Sequence, residues 1–291
     1  MKPAKTFEEQ IEVLIKEHGL TISDTSSAIE ALKRINYYHY RGYYIHWMDT
    51  QQQRFLPNIT FEMIRSLQEF DHHLRMMIFS SLQKIELAVR CAIAYYIANE
   101  YGPMAHLDSN LYENKQYFDE FVAKVEESVS KSNELFITHH NNDYLCTPIW
   151  AAIEVVSFGT LSKMYRNLNL PIRKEIAKSL FGIDEELLVS YLHSFSFLRN
   201  ACAHCGRLYN KKPSFFIKIN KKYDAEIQRL RNKGFKVYPK SLFAYYLGMN
   251  DLLTAAEKEE LADCLEALFT EYKDCININL MGFPLNWSEF R

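Results

Sequence analysis

The chain has 291 residues, 48% of them hydrophobic, 24% charged and 14% aromatic, with only nine glycines and eight prolines. So few chain breakers exclude collagen-like and low-complexity organisation and speak against a turn-dense all-β protein. A formal net charge of −2 gives no global pull toward an acidic or basic partner. Six cysteines, in a chain whose first residues carry acids instead of an apolar leader, read as reduced thiols of a cytoplasmic protein.

Taken in order, Thr6 to about His18 places Phe7, Ile11, Leu14 and Ile15 on one helical face. A second helix is predicted from Ser27, where Ser27 and Glu30 have the spacing of a capping box. The aromatic run from Tyr37 to Trp47, interrupted by Gly42, reads as a bend that anchors this N-terminal section to the body. Stacking of nucleic-acid bases is its functional alternative. From Thr60 to about Asn99 apolar residues recur every three or four positions without a proline, which predicts one long amphipathic helix. Its polar stripe holds Asp71, Arg75, Glu86 and Arg90. Structural pairing is the default for these charges, and Arg75 or Arg90 turned toward a phosphate is the functional alternative. The densest apolar stretch, Val89 to Ala98, is far short of the ~20 residues of a membrane span.

Gly102-Pro103 ends the long helix. Helical spacing resumes from Phe118 to about Ser130, and Asn141-Asn142-Asp143 reads as a loop. Pro148 opens a helix over 149–156, Ser157 to Thr160 interrupts it, a further helix follows to Leu168, and Pro171 starts another that reaches Phe181. Beyond Gly182 a stripe of Leu187, Leu188, Tyr191, Leu192, Phe195 and Leu198 marks the next helix. Arg207 to Lys240 then carries eleven Lys/Arg against two acids and includes Ser214 to Ile219, the one strand-like run. Thr254 and Glu257 form a second capping box, opening a helix to about Cys275, and Met281 to Trp287 is irregular. These readings predict an all-α fold of eight to ten helices. They divide into a helical and aromatic extension over 1–58, a helical domain over 59–275 with a basic, partly strand-like insertion at about 207–240, and a tail over 276–291.

The sharpest chemical feature is Phe197-Leu-Arg199-Asn200-Ala-Cys202-Ala-His204-Cys205-Gly206-Arg207-Leu-Tyr209-Asn210. Gly206 is placed as the left-handed glycine that closes a helix. His204 then falls in the last turn, beside the negative end of the helix dipole, where a protonated imidazole is favoured. Asn200, four residues earlier on the same face, is positioned to orient the ring, and Arg199 to reach the same anion or a site shared with a second subunit. An imidazole beside a permanent guanidinium suits cleavage of RNA by its own 2′-hydroxyl, which needs proton transfer and charge stabilisation and no metal. The bland alternative is a helix-ending histidine beside a surface arginine. Cys202, His204 and Cys205 invite zinc, but no second ligand pair stands elsewhere, so no metal and no cofactor are expected. The nucleotide-cradling GxxxxGK[ST], the dinucleotide GxGxxG and the zinc-protease HExxH are all missing.

The motif from Phe197 to Asn210 closely resembles the signature of abortive-infection Abi proteins of the AbiD/AbiF type, in the HEPN superfamily marked by Arg-x4–6-His. Leu32 to Tyr38 with Gly42 to Tyr44 resembles that family's N-terminal block, and Phe70 to Arg75 through Ile85 to Arg90 its long-helix block. Pro148 to Trp150 with Glu154 and Ser157 to Ser162 is similar to the middle block, and Met281 to Pro284 with Trp287 to the terminal one. The resemblance implies an all-helical HEPN bundle, a homodimer with facing motifs, and a metal-independent endoribonuclease toxin of phage defence, in some members neutralised by a small RNA. It implies Arg199 and His204 as the catalytic pair with Asn200 between them; Cys205 stands where many relatives carry a second histidine. Arg207, Lys211 and Lys212, with Arg75 and Arg90, are the candidate RNA-binding residues. The rival readings are a non-catalytic RNA-binding module and a helical adaptor that meets a protein through the N-terminal helices.

Overall fold

Thr6 accepts a hydrogen bond from the Glu9 amide while the Glu9 carboxylate accepts one from the Thr6 amide, and this reciprocal cap starts α1 (Phe7–Glu12). A π-helical turn over Val13–Glu17 extends it. Ile11 and Leu14 are buried there, whereas Phe7 and Ile15 are largely exposed. Helix α2 (Thr25–Arg34) begins earlier than its predicted start, because Asp24, and not Ser27, supplies the capping oxygen. The computed structural model describes residues 3–49, 51–143 and 146–291.

The aromatic run predicted as a bend is α3 (Tyr37–Tyr44), capped by Asn36. Its buried Tyr40, Tyr43 and Tyr44 fall at helical spacing, so these three rings pack the interior, while Tyr38 faces outward. Gly42 does not break this helix. It makes room, since a Cβ there would stand 3.1 Å from Arg207 Nε. A short hairpin, β1 (Met48–Asp49) paired antiparallel with β2 (Arg54–Phe55), follows in the register Met48 to Phe55.

Thr60 caps α4 (Phe61–Tyr101), one unbroken helix of 41 residues, about 60 Å long at 1.5 Å per residue. Its inner stripe from Leu67 to Ile97 is the spine of the main hydrophobic cluster. Gly102 ends it at φ +99°. Around this spine come α5 (Lys115–Lys131), α6 (Leu135–Asp143), α7 (Ile149–Val155), α8 (Phe158–Asn167), α9 (Leu170–Phe181) and α10 (Glu185–Ala203). The predicted loop at 141–143 is the last turn of α6. Helix α10 packs against α4, α8, α9 and the later α12, so the motif at its end is carried by a helix held on several sides.

The chain closes with α11 (Asp224–Asn232), α12 (Leu242–Leu252) and α13 (Ala255–Glu271). Among the described residues there are thirteen α-helices, more than expected: in the sequence α3 reads as a bend and the end of α6 as a loop, α11 lies within the basic insertion, and α12 has no amphipathic period. In α12 every residue is buried, and a helix covered on all sides shows no polar stripe. The predicted strand at 214–219 is instead an irregular segment with no partner strand among the described residues. The Ile217 amide donates to the Pro239 carbonyl and the Lys218 amide to Ser190 Oγ. Ser194 Oγ and Tyr245 OH donate to the carbonyls of Phe216 and Phe215. Helix side chains thus satisfy the groups a sheet would otherwise claim.

A second hydrophobic cluster, from Ile11 through Leu32 and Tyr44 to Ile64, unites the N-terminal elements with the first turn of α4, and Trp47 packs against both clusters. Among the described residues no helix is long and apolar enough to cross a membrane.

Candidate functional site

Helix α10 ends in a hydrogen-bonding pattern that exposes one imidazole. His204 is the capping residue, and its amide donates to the Asn200 carbonyl at 3.0 Å. The Gly206 amide returns to the Ala201 carbonyl at 2.7 Å, and the Cys205 amide to that of Cys202 at 3.2 Å, the two bonds of a Schellman closure. The left-handed residue is Cys205, at φ +55°, and not Gly206 as the sequence predicts. Glycine is needed one position later because a Cβ at 206 would stand 2.9 Å from the Ala201 carbonyl oxygen. His204 is left exposed at the tip.

Arg199 approaches from the previous turn and is held by three groups. Its Nε lies 3.3 Å from Glu86 Oε2 on α4, its Nη1 donates to Asn200 Oδ1 at 3.3 Å, and its guanidinium carbon sits 5.7 Å from the Phe79 ring centroid. The side chain remains 33% exposed. Asn200 therefore orients Arg199 through its side chain and meets His204 only through its backbone carbonyl. The other oxygen of Glu86 binds Arg90, which also donates to the carbonyls of Ile153 and Val156. One buried carboxylate is thus shared by two guanidiniums, one interior and one facing out, and the net positive charge is presented at Arg199.

The residues after the motif are tied down by Asp71. This fully buried carboxylate accepts hydrogen bonds from the amides of Leu208 at 2.9 Å and Tyr209 at 2.6 Å, from Tyr43 OH at 2.8 Å, and from Arg75. Tyr209 OH in turn accepts from the Asn277 amide at 3.0 Å. Asp71 so fastens α3, α4 and the motif loop together. Burial and the Asp71 carboxylate push the Tyr43 phenol well above its usual range.

The sequence-predicted residues sort cleanly. Arg199, Asn200 and His204 gather at one helix end with Arg199 and Asn200 in direct contact. Arg75 and Arg90 are corrected: both are buried and spent on internal partners, so neither faces a phosphate. Arg207 lies over Gly42 and donates to the carbonyls of Tyr209 and Asn210. Lys211 and Lys212 are exposed and, with Phe197, Ala201 and Arg207, line a shallow groove beside the end of α10. Cys202 is buried, and burial pushes its thiol up to about 12, so it keeps its proton near neutral pH. Among the described residues no three His, Cys, Asp or Glu side chains gather in a metal-holding group. Glu86 and Asp71 are the supports sequence reading missed. Each was visible only as one half of an i,i+4 pair on the long helix, and their third partners, Arg199 and the 208–209 amides, lie far along the chain.

A family model described as Abi-like protein matches residues 30–210, a span that takes in Asp71, Glu86 and the whole of the Arg199–His204 motif. No curated protein and no solved structure matches the chain.

Proposed function

The chain belongs to the Abi-like protein family, and from that premise we propose that it is a metal-independent endoribonuclease of the HEPN type, an AbiD/AbiF-like toxin of bacterial phage defence acting in the cytoplasm. The family points to abortive infection. The observation that carries the chemistry is the end of α10, where an exposed imidazole and a guanidinium anchored by Glu86 and Asn200 share one helix terminus.

The reaction needs little else. The 2′-hydroxyl oxygen attacks the adjacent phosphorus, the bond to the 5′-oxygen breaks, one proton leaves the 2′-oxygen and one reaches the departing 5′-oxygen. His204 moves these protons, Arg199 bears the charge that develops on the phosphorane oxygens, and Asn200 with Glu86 keeps the guanidinium from swinging away. The products are a 2′,3′-cyclic phosphate and a 5′-hydroxyl. Lys211 and Lys212 draw the backbone toward this point without reading sequence, and a small RNA antitoxin would engage the same basic face.

A homodimer fits a feature of α4. Met76, Ser80, Gln83, Leu87, Cys91 and Tyr95 form an exposed, uncharged stripe on the helix that anchors Arg199. A second copy laid on that stripe brings two motifs to one cleft. The test of the proposal is purified chain incubated with RNA in EDTA. Cleavage is expected; RNA that is bound yet stays intact would leave the motif a phosphate-holding device and nothing more.

A further inference from the structure

Beside the motif the fold leaves aromatic rings uncovered. Phe216 is 69% exposed and Phe197 46% exposed. Phe197 packs on Phe215 at 4.3 Å between ring centroids, and Lys240 Nζ lies 4.5 Å from the centroid of Phe216. Tyr238, more than half exposed, carries Lys236 in the same way at 5.2 Å. These rings do not belong to a mobile fringe. The 215–218 segment is bound to Ser190, Ser194, Tyr245 and the Pro239 carbonyl, so Phe215 and Phe216 sit on a ledge fixed against α10 and α12.

The ledge lies on the His204 side of the motif. Phe197 precedes His204 by seven residues, almost two full turns, which puts both on one face of α10 about 10 Å apart along the axis, while Arg199 approaches from the α4 side. The ring of Phe197 lines one groove with Ala201, Arg207, Lys211 and Lys212. Protein-binding surfaces share the enrichment in aromatic rings but are depleted in lysine. Exposed rings interleaved with lysines instead match how proteins hold unpaired nucleic acid, where each base stacks on a ring and the cations follow the phosphates. Lys211, Lys212 and Lys236 are exposed and Lys240 is half-buried, with Lys236 and Lys240 set over rings.

We propose that Phe216 with Lys240, next in the chain to the Phe197–Phe215 pair, is a stacking platform for the unpaired nucleobases that flank the phosphodiester reached by His204. The inference rests on the ribonuclease reading for its ligand, and it adds the surface of this chain that receives the bases.

The experiment uses the full chain carrying His204→Ala, so that the strand survives, and a fluorescein-labelled single-stranded oligouridylate. Phe216→Leu in that background is expected to weaken binding roughly tenfold, the scale of one lost base–ring stack, and to leave the circular dichroism melt unchanged because the ring is on the surface. On a strand of the same length built from abasic ribose-phosphate units, Phe216→Leu is expected to change nothing. Equal affinity of both chains for oligouridylate, or an equal loss on the abasic strand, overturns the platform. So does a Phe216-dependent self-association without RNA binding, which would make the ledge a protein-docking surface. Loss of the platform with wild-type cleavage intact leaves the ribonuclease reading standing. A working platform on a wild-type chain that cannot cleave removes that reading and keeps this one.

Discussion

Asp71→Asn is expected to lower the melting temperature by on the order of 10 °C. The carboxylate is fully buried and answers four donors at once: Arg75, Tyr43 OH and the amides of Leu208 and Tyr209. An asparagine of the same shape keeps one acceptor, turns an NH2 group toward donors, and leaves the Arg75 guanidinium buried without a counter-charge. Breaking a buried pair from one side costs about 3–5 kcal/mol, and in a chain of this size each kcal/mol moves the midpoint by roughly 2–4 °C. Glu127→Gln is the control. Glu127 pairs with two cations, Lys124 and Lys131, where Asp71 has one, but on the exposed face of α5, where ion pairs contribute little, and its removal leaves the midpoint where it was. Differential scanning calorimetry of the three chains reads both effects.

His204→Ala and Arg199→Ala are each expected to reduce the single-turnover rate of RNA cleavage by roughly 10²- to 10⁴-fold, the range of a lost general acid–base group or of a preorganised charge stabiliser. His204 is exposed and touches no buried partner, so its truncation leaves the fold and the RNA affinity nearly unchanged and the loss falls on the chemical step. Arg199 also holds a place against Glu86 and Phe79, so Arg199→Ala weakens binding as well. Arg199→Lys does not restore the rate, because a single ammonium cannot span Glu86 and Asn200 as the planar fork does. The double variant is no slower than the product of the two and falls short of it, since groups acting on one transition state are not additive.

The fold was readable wherever burial is one-sided. The long stripe of α4, the leucine-rich face of α10 and the capping box at Thr254 all appear as periods or spacings in the sequence, whereas the box read at Ser27 is replaced by a cap from Asp24. It was unreadable where burial is total or the cause lies elsewhere in the chain. Helix α12 hides in an apolar run because no side of it meets water. The 214–219 run has strand-like residues, but its backbone is satisfied by Ser190, Ser194 and Tyr245 from helices not adjacent in sequence. At the site, Arg199, Asn200 and His204 were legible as a helix-end motif. Glu86 and Asp71 were not, since a carboxylate four residues from an arginine looks complete until folding brings a third partner. Gly206 was identified as special for the wrong reason: it is needed for a close approach to Ala201, while Cys205 takes the left-handed turn.

The claim beneath this account is that one imidazole and one guanidinium at the end of α10 drive attack by a 2′-hydroxyl. Its most direct test is the end-group chemistry of RNA fragments produced in EDTA by the wild-type and His204→Ala chains side by side. The account predicts 2′,3′-cyclic phosphate and 5′-hydroxyl ends from the wild type, and their near-disappearance from the variant. Fragments ending in 3′-hydroxyl and 5′-phosphate, or cyclic ends formed equally fast by both chains, would contradict it.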